Sequence, residues 1–63
     1  MPLVEIKILT GRTPQQKQQM VEQVTQAIAT TIDVPLEKVK IHIVEMPPEH
    51  YAVGGKLIQP VEA

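Results

Sequence analysis

Residues 2–16 read PLVEIKILTGRTPQQ, and this stretch decides the fold. Val4, Ile6 and Ile8 point one way, while Leu3, Glu5, Lys7 and Leu9 point the other. A period of two with β-branched residues on one side predicts a strand over residues 2–9 with one buried face. Thr10-Gly11-Arg12 breaks the alternation, and Thr13-Pro14-Gln15-Gln16 reads as a helix start. Thr13 can cap, Pro14 suits the first helical position, and Gln16 stands where a capping box needs its amide. Downstream, Met20, Val21, Val24, Ala27, Ile28 and Ile32 recur at steps of one, three and four. This is the apolar stripe of an amphipathic helix over residues 14–32, with a Gln- and Lys-rich opposite face. Asp33-Val34-Pro35 ends it, because a residue before proline is pushed out of the helical region.

The second half returns to a period of two. Val39, Ile41 and Ile43 form one face and Lys40, His42 and Val44 the other, a strand over residues 39–44 that Pro47-Pro48 stops. Tyr51-Ala52-Val53 and Lys56-Leu57-Ile58 flank Gly54-Gly55, the pattern of a short C-terminal hairpin. Such a hairpin is marginal alone and needs another surface to lie on. Strand, helix and strand make one β-α-β unit with parallel strands and a right-handed crossover. The expected class is therefore α/β (α+β), one domain over residues 1–63. A parallel sheet wants both faces covered. One helix covers one face, so the other face and the edges require further copies of the chain.

Size and composition lead to the same expectation. A chain of 63 residues buries only about 60% of its unfolded surface. The sequence has no cysteine, which excludes disulfides and thiolate zinc sites. His42 and His50 straddle Pro47-Pro48 at a spacing that matches no common metal pattern, so no metal is expected. Association is the remaining source of stability, and a homo-oligomer is expected. Six basic against seven acidic residues, with one tyrosine as the only aromatic, leave no basic stripe or stacking platform for nucleic acid. No apolar run is long enough to span a membrane. Met1-Pro2-Leu3-Val4-Glu5 lacks the basic start and unbroken hydrocarbon of a signal peptide, so a soluble cytoplasmic protein is expected.

Candidates for chemistry are few. The chain has no cysteine or serine nucleophile, no evident carboxylate pair and no phosphate-cradling glycine loop. Pro2 is the exception. Initiator methionine is commonly trimmed before a small residue, and its removal would leave a secondary amine on a rigid ring at a strand start. An α-amine titrates near pH ~7.7–8.0, and desolvation or nearby cations lower that value. A neutral amine near pH 7 has the property a general base needs. The plain alternative is a proline that simply starts an edge strand.

Pro2 after methionine, Ile8-Leu9-Thr10-Gly11-Arg12-Thr13 closing the first strand and Gln16-Lys17 opening the helix form an ordered series. Glu45-Met46 ending the second strand and His50-Tyr51-Ala52-Val53-Gly54-Gly55 near the C-terminus complete it. In order and spacing the chain resembles the 4-oxalocrotonate tautomerase family over nearly its whole length. The resemblance implies a β-α-β protomer that pairs into dimers, three of which make a hexamer. It implies a cofactor-independent isomerase in which Pro2 shuttles a proton between the enol oxygen and a carbon of a 2-hydroxydienoate or related 2-oxo acid enol. By the same resemblance Arg12 grips a substrate carboxylate, often from a neighbouring subunit, and Tyr51 forms an apolar wall that keeps the amine neutral. Leu9 packs in the pocket or the core.

The chain departs from the family pattern at two places. Lys40 stands where a second arginine is expected, a point charge without the bidentate fork. Tyr51 replaces the usual phenylalanine and adds a hydroxyl. Ala52, Val53 and Gly54 offer no carboxylate to activate water, which disfavours hydration chemistry. A structural ion pair of Lys40 with Glu5 stands beside its substrate role. A non-catalytic oligomeric β-α-β module stands beside the enzyme.

Overall fold

The structure is a computed structural model that describes residues 2–58. The alternating segment around Ile6 forms β1 (Leu3–Leu9), and the second forms β2 (Lys40–Met46). They pair in parallel from Leu3 opposite Lys40 to Leu9 opposite Met46. The ladder runs one residue past each end. Lys40 N–H donates to the Pro2 carbonyl at 3.2 Å, and Thr10 N–H donates to the Met46 carbonyl at 2.9 Å.

Helix α1 (Pro14–Ile32) connects the strands and starts as its sequence dictates. Thr13 N–H donates to Gln16 Oε1 and Gln16 N–H donates to Thr13 Oγ1, both at 3.0 Å. This reciprocal box satisfies two donors that the first turn leaves unpaired. Thr13→Ala should lower stability by about 1 kcal/mol, seen as a lower urea midpoint with an unchanged slope. The helix ends two residues before Pro35, at Asp33, whose φ of 59° is left-handed. Val34 N–H then closes back to the Ala29 carbonyl at 3.1 Å. The terminator is thus the left-handed aspartate, a conformation its short polar side chain tolerates.

A 3₁₀ turn at Leu36–Lys38 leads into β2, and another at Pro48–His50 leads out of it. The hairpin follows as β3 (Ala52–Val53) and β4 (Lys56–Leu57), paired antiparallel. Gly54 and Gly55 have φ of 61° and 82°, the two positive values a tight type I′ turn demands.

The two faces of the β1–β2 sheet differ. Val4, Ile6, Ile8, Ile41 and Ile43 are half-buried on the helix side, where α1 presents Met20, Val21, Val24 and Ile28. Leu3, Glu5, Lys7, Lys40 and His42 are exposed on the other side, and Leu9, Val44 and Met46 are half-buried there. Two stripe residues of the helix depart from the sequence reading: Ala27 and Ile32 are exposed, Ile32 at 54%. Ile32 is the last residue of α1, where the helix runs out into its C-cap. Among the described residues none is fully buried. The single chain exposes 5006 Å², where a closed monomer of this mass would expose roughly 4,000 Å². One copy therefore does not seal a core.

Candidate active site

Five residues are the sequence's site candidates: Pro2, Leu9, Arg12, Lys40 and Tyr51. The fold sorts them into separate places. Pro2 is half-buried at the start of β1. The parallel register sets Lys40 beside it, because the Lys40 amide is the group that binds the Pro2 carbonyl. Lys40 itself is exposed. Among the described residues it forms no ion pair with Glu5; the ion pair present there is Lys17–Glu45.

Leu9 and Arg12 lie at the opposite end. There β1 stops, Gly11 turns with φ 126°, and Thr13 caps α1. A Cβ on Gly11 would meet nothing within 4 Å, so glycine is required by the backbone angle and not by crowding. Leu9, Gly11, Arg12, Gln16, Lys17 and Met20 line a cavity of about 420 Å³, with Ile8 and Thr10 completing the wall. Lys17 Nζ lies 3.0 Å from Glu45 Oε1, so its charge is matched inside the chain. No carboxylate among the described residues lies within ion-pair distance of Arg12. Arg12 is therefore the unmatched cation of this cavity, and a planar guanidinium there suits a carboxylate.

Tyr51 comes after β2 in the chain, past Met46, the residue paired with Leu9. It follows the Pro48–His50 turn, its N–H donates to the Pro48 carbonyl at 3.1 Å, and it is 45% exposed. Val53 and Leu57 of the hairpin are also exposed, at 62% and 57%.

Spacing along β1 sets the scale. Strands rise about 3.3 Å per residue, so Pro2 and the Arg12 loop are roughly 25 Å apart within one chain. Pro2 and Arg12 therefore stand at opposite ends of one copy, too far apart to touch one small molecule.

The Lys17–Glu45 bridge was not anticipated from sequence, since its partners are 28 residues apart. Strand parity held the one signal. Glu45 falls in step with Ile41 and Ile43, which puts a carboxylate on the helix-facing side of the sheet within reach of a cation from the helix.

The sequence profile of the tautomerase enzyme family matches residues 2–60. The chain belongs to the tautomerase family. This tautomerase is 43% identical over 56 residues to the 2-hydroxymuconate tautomerase of Pseudomonas sp. (strain CF600), covering 89% of each chain. It is 45% identical over 62 residues to that of Bacillus subtilis (strain 168), covering 98% of this chain and 100% of the relative. Among solved structures it resembles the heterohexamer 4-oxalocrotonate tautomerase from Chloroflexus aurantiacus J-10-fl. The TM-score is 0.86 at 40% identity, over 90% of this chain and 92% of that one. Fold and enzyme class follow together: the tautomerase is an isomerase with the 4-oxalocrotonate tautomerase fold, and the non-catalytic reading is set aside. Among its described residues no helix is long and apolar enough to cross a membrane, and no group of three potential ligands could hold a metal ion.

Proposed function

We propose that this tautomerase converts 2-hydroxydienoates, or related 2-oxo acid enols, to their ketones, with the Pro2 nitrogen as base and then acid. The placement of Pro2 against Lys40 carries the reading, through the 3.2 Å bond between their backbones. Met1 lies outside the described residues; its removal frees the Pro2 amine. The neutral amine takes the proton of the enol hydroxyl. Negative charge grows on that oxygen, where Lys40 stabilises it most in the transition state, while Arg12 holds the substrate carboxylate. The prolinium then returns the proton to a carbon of the conjugated chain, and the ketone forms. Leu9 and Tyr51 exclude water, which keeps the amine neutral and strengthens the cations' hold. No cofactor enters this cycle.

Pro2 and Arg12, at opposite ends of one copy, then act as two half-sites, which is why the enzyme would work as a homo-oligomer. Each strand of the β1–β2 pair has one unpaired edge. A second copy laid antiparallel along β1 brings its Leu9 end to the Pro2 end of the first. Dimers built this way leave the bare sheet face and the exposed hairpin to be covered by other dimers, which a trimer of dimers does. The reading also places the enzyme in the cytoplasm.

The test is an ultraviolet assay of ketonisation on protein whose intact mass shows that Met1 is gone. Catalysis well above the buffer rate supports the reading, and its absence with several enols ends it. Arg12→Ala should raise KM ten-fold or more with a smaller change in kcat, since a charge-assisted hydrogen bond contributes about 1.5–3 kcal/mol. An unchanged KM would remove Arg12 from the site.

A further inference from the structure

We propose that the preferred substrate is the enol of a 2-oxo monocarboxylic acid with an apolar remainder, and that Lys40 sets this preference. The proposal rests on the tautomerase reading of Pro2 and extends it to substrate class.

Stoichiometry limits what each site can hold. Arg12 is the sole arginine of the chain. In a closed assembly of identical copies, each equivalent site receives one Pro2, one Arg12 and one Lys40, whichever copies donate them. Every site then has one planar fork able to bind a carboxylate through two parallel hydrogen bonds. Lys17 lines the same cavity as Arg12, but Glu45 at 3.0 Å already holds it. Lys40 starts beside Pro2, where its amide binds the Pro2 carbonyl. Its side chain is exposed on the bare face of the sheet at the Pro2 end, and its ammonium is a compact point charge that suits one oxygen, which on this proposal is the enol oxygen. The remaining cations are Lys7 in the middle of β1, Lys38 in a 3₁₀ turn and Lys56 in the hairpin. All are lysines, so none adds a second fork.

One fork and one point charge match one carboxylate and one enol oxygen. The rest of the walls around Arg12 include Ile8, Leu9 and Met20, which favour hydrocarbon. A second carboxylate would lose water with no fork to receive it, a costly exchange. An alkenyl or aryl group gains from the same walls.

The test compares kcat/KM of the assembled enzyme for 2-hydroxymuconate, which carries two carboxylates, with that for 2-hydroxy-2,4-pentadienoate, which carries one. The monoacid should be favoured ten-fold or more. Lys40→Arg should raise the diacid's kcat/KM about ten-fold and narrow the ratio, an effect that a purely structural lysine would not produce. Equal or reversed preference in the parent enzyme, or a ratio unmoved by Lys40→Arg, overturns the proposal while leaving the Pro2 mechanism standing. Failure to ketonise either acid by protein with a verified free Pro2 amine overturns both.

Discussion

Protein whose Pro2 nitrogen is acylated, by retained Met1 or by an acetyl cap, ketonises enols no faster than buffer. An amide nitrogen shares its lone pair with the neighbouring carbonyl and has none left for a proton. The variant Pro2→Ala keeps an amine after methionine removal but loses the ring that fixes its direction. Positioned proton transfer contributes typically ~10²–10⁴-fold, so its kcat should fall by about a hundred-fold or more. If the Pro2 amine is the base, as proposed, its unprotonated form does the work, so kcat/KM should climb as pH rises through the amine's titration and be lost below it. Mass spectrometry of the N-terminus, paired with kinetics from pH 5 to 9, checks all three. Full activity in the acylated protein, or a flat profile, would refute proline as the base.

The second large effect concerns assembly. Val44→Asp, a charge on the bare face of the sheet, should leave a monomer that is largely unfolded and without activity. None of the described residues is fully buried in one copy, so folding has to draw its apolar burial from neighbours. For the same reason the parent protein's unfolding midpoint should rise with protein concentration. Sedimentation, circular dichroism and the ketonisation assay, run on one dilution series, should lose mass, ellipticity and turnover together. A folded, active monomer at nanomolar concentration would contradict this account.

Much of the fold is legible because local signals agree with one another. The alternation of Val4, Ile6 and Ile8, the Thr13/Gln16 box and the Gly54-Gly55 turn each select one local geometry, and all three are observed. Signals that depend on distant partners are less legible. The second strand spans Lys40–Met46 and not 39–44. Its start is set by where Lys40 meets Pro2, and its end by where Thr10 meets Met46. No periodicity within residues 39–46 encodes those partners. Ile32 fits the helical stripe by spacing, yet it lies at the helix end and stays exposed. The site divides in the same way. Pro2, Arg12, Lys40 and Tyr51 stand out as residue types in an ordered series. The separation of Pro2 and Lys40 from Arg12 onto two ends of β1 follows from strand rise, which is readable only once the strand is known to run unbroken from Leu3 to Leu9.

That unbroken run makes β1 a ruler. On the proposed mechanism, seven residues set how far the proton carrier of a copy stands from its own anion clamp, and hence how the pockets would be spaced around the assembly. One inserted residue would lengthen the ruler by about 3.3 Å and turn every later side chain to the opposite face. On that reading β1 would hold every pocket to a single gauge.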